Sequence, residues 1–220
     1  MRSAHQNNTG SLLKQLGWWI FFLICAFYSL YALYMGILEI LSLLGIAGDA
    51  PHRAAPFMFI VHALSGSVAL ISGPLQFNRR ILNKKRKIHR LTGRIYVGAI
   101  WISSVGGLWS AIFFDVNLAA KIAFGVLSIL WFTTTTLAFL RIRNRKVEEH
   151  REWMIRSFSL SFFFVTFSFW APGLTSTNLP ETIAYPLAVF LSWSLNLIFA
   201  ELWVLRTRSQ SLQFRFGEGA

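Results

Sequence analysis

The chain has 220 residues, 55% hydrophobic and only 14% charged, against roughly 25% charged in soluble domains. Several apolar runs exceed the ~18–20 residues that cross a bilayer core, which excludes a soluble globular domain. The net charge of +12 does not signal a nucleic-acid partner, because the bases sit in short loops between apolar runs and do not interleave with aromatics on a water-facing surface. The single cysteine, Cys25, excludes an intrachain disulfide and cysteine-ligated zinc or iron–sulfur sites.

Residues 1–15 read as a disordered cytoplasmic tail with Arg2, Lys14 and His5, a histidine to which no role falls. The first apolar run, 18–44, is too long for a signal-peptide core of about 7–15 residues and has no convincing cleavage site. It is expected as the first membrane helix, 16–44. Tyr28, Tyr31 and Tyr34 recur on one face as a packing stripe. Glu39 is expected near the outer end, within reach of water. A Gly/Pro/Ala-rich turn with His52 and Arg53 follows.

The second helix is expected over 56–77, with Pro56 in its first turn. His62, Gly66, Ala69 and Gly73 share one face. Such a small-residue face admits another helix, or a flat cofactor, at close range. Gly73-Pro74 is expected to end or kink the helix. A basic loop then carries Arg79, Arg80, Lys84, Lys85, Arg86 and Lys87, and HRLTGR (His89 to Arg94) opens a third helix reaching 114.

Asp115 and Asn117 mark a short turn before a fourth helix, 118–140, whose Thr133 to Thr136 are read as structural. A second basic loop, with Arg141, Arg143, Arg145 and Lys146 followed by Glu148 and Glu149, runs into HREWMIRS (His150 to Ser157). The fifth helix continues to 170. Ser157, Ser161 and Ser168 form a polar stripe in line with His150. The stretch 171–182 is a loop, and a sixth helix, 183–205, contains Asn196. The transmembrane domain is thus 16–205, and 206–220 is a flexible cytoplasmic tail. With both termini cytoplasmic, 19 of the 21 Lys and Arg residues fall on the inner side and only Arg53 and Lys121 on the other. The positive-inside rule therefore favours an all-α integral membrane bundle of six transmembrane helices in the plasma or inner membrane.

The two basic loops echo each other, each ending in His-Arg, with His89 and His150 61 positions apart. The echo is incomplete: His62 shifted by the same offset lands on Ala123. The order and spacing of His62-x-x-x-Gly66, GPLQF, HRLTGRIYV and HREWMIRS, spread over about 59–205, resemble a bacterial polytopic "predicted membrane protein" family, domain of unknown function twenty-three-oh-six. The resemblance implies no established activity. More distantly, the histidine-bearing core is similar in architecture to b-type membrane cytochromes of the cytochrome b561 and ferric-reductase-like kinds.

Three functions compete. In the first, an inner-face cluster binds an anionic ligand or lipid headgroup, a quinone included, through Arg90, Arg94, Arg151 and Arg156 with His89 and His150. In the second, His89 and His150 are axial ligands of a haem b in an electron-transfer protein or oxidoreductase, and the four arginines pair with its propionates. A redox partner would then be needed. His62, about fourteen residues or roughly 20 Å from the inner end, is too far to share that iron, and only His52 lies near it in depth. The third is a small-solute transporter with Glu39, His62 and Asn196 along a polar path, though no pair of broken helices supports it. Each residue has a plainer use: His-Arg among lipid phosphates with Trp153 as anchor, His62 as an interhelical hydrogen-bonder, and Glu148, Glu149 and Glu152 as balance for nearby bases. No P-loop, HExxH or nucleophile elbow appears.

Overall fold

The computed structural model describes residues 2–48 and 56–217, with side chains over 12–48 and 56–209. His52 and Arg53 lie outside the described residues, as does the side chain of His5. Eight α-helices follow in order: α1 (Arg2–Leu43), α2 (Pro56–Gln76), α3 (Arg79–Lys84), α4 (Arg86–Phe113), α5 (Leu118–Arg143), α6 (Val147–Ser161), α7 (Phe163–Thr175) and α8 (Glu181–Gly217). Among the described residues six spans are long and apolar enough to cross a membrane: Leu12–Leu43, Pro56–Gln76, Arg86–Phe113, Leu118–Arg143, Val147–Thr175 and Glu181–Ser209. The expected all-α architecture is present.

Side-chain placement is that of a bilayer protein. Leu118, Phe169, Phe199 and Phe27 lie exposed on the outside, where they meet lipid. Inside, the buried polar residues are mostly hydroxyls, among them Ser29, Ser67, Ser103, Ser157 and Thr135. Apolar burial gives no driving force between helices in lipid, so close backbone approach and interhelical hydrogen bonds hold them instead. A Cβ at Gly73 would fall 2.1 Å from the Phe158 ring, and one at Gly106 would fall 2.9 Å from the Met58 carbonyl oxygen. Only glycine permits these two crossings.

The centre of the bundle is a ring of four helices. α2 packs on α4, α4 on α5, α5 on α6 and α6 back on α2, while α1 and α8 lie outside against α2 and against α5, α6 and α7 respectively. Contacts fix the direction of each pair. His62 meets Ser103 while Gln76 meets Thr92, so α2 and α4 are antiparallel. Trp131 meets Ser161 while Thr135 meets Ser157, so α5 and α6 are too. One end of the bundle therefore gathers the end of α2, α3, the start of α4, the end of α5 and the start of α6. It is called the basic end below.

The 61-residue echo is a structural repeat. Shifted by 61, the start of α4 at Arg86 falls on Val147, the start of α6, and Pro56 falls one residue before the start of α5 at Leu118. The hairpin α2–α4 thus recurs as α5–α6–α7. α4 and α6, and likewise α2 and α5, stand diagonally across the ring.

Several boundaries differ from the sequence reading. α1 is helical from Arg2 and α8 runs to Gly217, so both expected tails extend the membrane helices, no proline interrupting either tail. α2 passes through Gly73-Pro74 and ends two residues later. The first basic loop holds α3, whose Asn78 cap accepts hydrogen bonds from the backbone N–H groups of Arg80 (2.9 Å) and Ile81 (3.2 Å). The fifth span breaks at Phe162 and continues as α7 to Thr175. At the break Asn196 donates to the Ser159 carbonyl (3.1 Å) and to Thr166 Oγ1 (3.0 Å), so a side chain from α8 enters the ladder. Glu39 does not reach water: it is fully buried. It lies one turn from Gly36, whose missing Cβ lets Leu64 of α2 approach, so this face of α1 turns inward.

Candidate functional site

Three polar layers stack inside the four-helix ring. Farthest from the basic end, His62 Nδ1–H donates to the Ser103 carbonyl (2.9 Å), and the Ser103 hydroxyl donates back to the His62 carbonyl (2.9 Å). The ring of His62 stands edge-on to Trp131 of α5, with centroids 6.5 Å apart. A Cβ on Gly107 would sit 2.8 Å from His62 Nδ1 and 3.2 Å from Ser128 Oγ. His62 is thus an interhelical hydrogen-bonder in a tight crossing.

The middle layer is a circle of hydrogen bonds. The Trp131 indole donates to Ser161 Oγ (2.9 Å), and Ser161 Oγ meets the Tyr96 hydroxyl at 3.0 Å. Tyr96 meets Ser157 Oγ at 2.9 Å, and Ser157 meets Thr135 Oγ1 at 2.7 Å. Thr135 then donates to the backbone carbonyl of Trp131 (2.8 Å). With the Thr135 proton on that carbonyl, Thr135 accepts from Ser157, Ser157 from Tyr96, and Tyr96 from Ser161; when Ser161 instead donates to the Ser157 carbonyl (3.1 Å), the hydroxyl–hydroxyl bonds can run the other way. Tyr96, Thr135 and Ser157 are wholly buried and all satisfied. Sequence reasoning found Ser157 and Ser161 but missed Tyr96 and Trp131, two aromatics inside apolar runs. Ser168 is not part of the layer. Beyond the break at Phe162, its hydroxyl turns back to the Phe164 carbonyl (2.8 Å).

Tyr96 and Ser157 are themselves 61 residues apart. Equivalent positions of a two-fold repeat touch each other only at the axis that relates the halves, so this bond marks the axis. His89 lies seven residues before Tyr96, and His150 seven before Ser157. Seven residues are two helical turns, about 10.5 Å along the same face. By this register both histidines fall in the third layer, at the basic end, on the same faces of α4 and α6 as Tyr96 and Ser157. No Cα of α4 comes within 8 Å of one of α6, so the two stand on helices across the diagonal of the ring.

The two histidines are held differently. His150 Nδ1–H donates to the Ala138 carbonyl (2.8 Å), which fixes the ring and leaves the lone pair on Nε2. His89 Nδ1 is buried without a hydrogen-bond partner among the described residues. Among the described residues no group of three or more His, Cys, Asp or Glu side chains could hold a bare metal ion.

The four arginines separate. Arg156 makes two parallel bonds to Glu201 of α8, Nε to Oε1 at 2.6 Å and Nη2 to Oε2 at 2.9 Å. It lies 3.9 Å from Glu152 and stacks 4.6 Å from the Trp153 ring centroid. Glu152 in turn is gripped by Arg208 of α8. Of the four arginines Arg156 is the one whose guanidinium is held in both bonds by a carboxylate of the fold, that of Glu201. Arg151 pairs with Glu148 at 3.5 Å, and Glu149 pairs with Arg141 and Lys146, each at 3.1 Å. Arg90 and Arg94 are exposed. The same holds for Arg79, Arg80, Lys84, Lys85, Arg86 and Lys87, and none of these eight makes an ion pair among the described residues.

The transporter residues do not gather. His62 bonds across α2–α4, Asn196 bonds to α6 and α7, and Glu39 is buried on α1. An apolar groove between α5 and α8, formed by Ala119 and Ala123 against Pro186 and Trp193, lies toward the opposite end and is lined by no ionisable group. The histidine layer, not this groove, is where chemistry concentrates. Comparison with curated proteins and with solved structures finds no match, membrane b-type cytochromes included. One family model does match, over residues 59–204, which take in nearly all of both hairpins and both histidine loops: the chain belongs to the predicted membrane proteins DUF2306.

Proposed function

We propose that this multi-pass membrane protein binds a phosphate-bearing anion, chiefly an anionic lipid headgroup, on the ledge formed by α3 and the start of α4. The orientation that goes with this reading has both termini and the ledge in the cytoplasm, in a plasma or inner membrane. One observation carries the reading. From Arg79 to Arg94 there are eight bases and no acid, all exposed, whereas in the second hairpin Arg141, Lys146, Arg151 and Arg156 are paired with Glu148, Glu149, Glu152 and Glu201. Bases near a membrane surface each contribute about 1 kcal/mol toward anionic lipid. Native mass spectrometry of the detergent-purified protein tests it, with short-chain phosphatidylglycerol, phosphatidylcholine and inorganic phosphate as separate probes. Retention of phosphatidylglycerol alone assigns the site to a headgroup. Retention of phosphate as well assigns it to the anion itself, and equal retention of the two lipids sinks the reading.

A second reading has its own support: the helical register puts His89 and His150 at one level, on the faces of α4 and α6 that carry Tyr96 and Ser157. Two imidazoles are too few for a bare ion but enough for a haem iron, whose porphyrin supplies the remaining donors. The unpartnered Nδ1 of His89 and the fixed ring of His150 fit such a ligand. Arg90 and Arg94 are the bases open to its propionates, with Arg151 next and Arg156 already bonded to Glu201. Haem would supply one-electron chemistry there. Reduced-minus-oxidised spectra of protein purified from haem-replete cells decide it, and a preparation without a Soret band removes this reading.

A further inference from the structure

The two halves of the repeat carry the same histidine in unequal settings, and that inequality has a functional meaning. His89 and His150 are each the fourth residue of their helices, α4 and α6. Both backbone N–H groups close the first helical turn, His89 onto the Lys85 carbonyl (3.1 Å) and His150 onto the Lys146 carbonyl (2.9 Å). Beyond that point they diverge. The imidazole of His150 is oriented by a 2.8 Å hydrogen bond to the carbonyl of Ala138, a residue with no exposed surface. The helix under it is pinned to α5 by Arg141–Glu149 and to α8 by Arg156–Glu201 and Arg208–Glu152. The imidazole of His89 has no such bond, and no ion pair among the described residues ties its turn of α4 to another helix.

We infer that the site is hemilabile toward haem: His150 is the permanent ligand and His89 the exchangeable one. The inference rests on the second reading above and assigns the site a further property, the admission of a small neutral ligand in place of His89. Hydrogen bonding from the far ring nitrogen orients a ligating histidine and raises its basicity, and loss of such a bond costs about 10–100-fold in metal affinity. The weaker donor is the one that lets go. In the exchange His89 withdraws with its lone pair, the incoming molecule donates its own, and no electron is transferred. A site so built responds to a diatomic or similarly small molecule, whereas two equally anchored histidines would pass electrons only.

The test uses the full-length protein in detergent, reduced with dithionite, with carbon monoxide as the probe. The expected result is a shift of the reduced Soret band on adding carbon monoxide to the wild type. His89→Ala should retain haem and bind carbon monoxide at least tenfold more tightly. His150→Gly should lose more than nine-tenths of its haem and regain it with added imidazole, which also shows that the variant folds. A Soret band that carbon monoxide leaves unmoved overturns the inference while sparing the haem reading, and so does equal loss of haem in the two variants. Absence of any Soret band overturns both.

Discussion

The hairpins α2–α4 and α5–α6–α7 share a register but not a chemistry. Their helices start 61 residues apart, their histidines occupy the same turn, and their Tyr96 and Ser157 touch at the axis. Yet the second hairpin answers its bases with three carboxylates and reaches Glu201 on α8, while the first leaves eight bases unanswered. In a duplicated fold the shared positions report what the bundle needs in order to close. The unshared positions report what one half has been left free to do. The second half spends most of its charge on pairs within the bundle, and the first half holds unpaired bases and a histidine whose Nδ1 has no partner among the described residues.

This contrast can be broken most strongly at the ledge. Changing Lys84, Lys85, Arg86 and Lys87 to glutamine together should remove about 4 kcal/mol of preference for anionic lipid, about a thousandfold. Arg143→Gln with Arg145→Gln removes two bases and should change it by about 2 kcal/mol, about thirtyfold. Competition between phosphatidylglycerol and phosphatidylcholine, read by native mass spectrometry, measures both. A smaller effect is expected at the crossing of the halves. Gly73→Ala drives a methyl group into the Phe158 ring and should destabilise the bundle by about 1–3 kcal/mol, seen as a lower Tm in detergent.

On the scaffold side, Arg156→Ala leaves Glu201 without its guanidinium, while Glu152 keeps Arg208. Because Glu201 is 44% exposed, water offsets part of the loss, and about 1–3 kcal/mol is expected. Arg156→Lys should recover only a fraction, since an ammonium cannot make the two parallel bonds. The smallest effect belongs to the axis itself. Tyr96→Phe opens the hydroxyl circle and should cost about 1 kcal/mol, while Ser168→Ala should stay within about 0.5 kcal/mol of the wild type. A thermal-unfolding series in one detergent ranks all of these.

What could be read in advance follows from the range of each signal. Span number and the 61-residue echo are written in local composition, so the six spans and the shared offset of His89 and His150 were visible without coordinates. Tyr96 and Trp131 were not, because an aromatic inside an apolar run looks like packing. The usable hint was the offset itself, which joins Tyr96 to Ser157 as it joins the two histidines. The partner of Arg156 lies 45 residues away. Its trace was Glu201, an acid inside an apolar span, where an acid requires a base. The break at Phe162 left no local mark, since it depends on Asn196 arriving from α8. Glu39 was misplaced because distance along the helix was taken for access to water, whereas the face it occupies decides.

The hydroxyl circle also joins the halves of the bundle. Its first donor is an indole N–H and its last acceptor a peptide carbonyl, both belonging to Trp131. The ends keep their roles, but the Ser161 hydroxyl has a second acceptor in the Ser157 carbonyl, so the hydroxyls between them have two settings. In both, α4, α5 and α6 stay tied through side chains that carry no charge. A neutral belt thus separates His62 from the level of His89 and His150, and it holds the halves together without an ion pair.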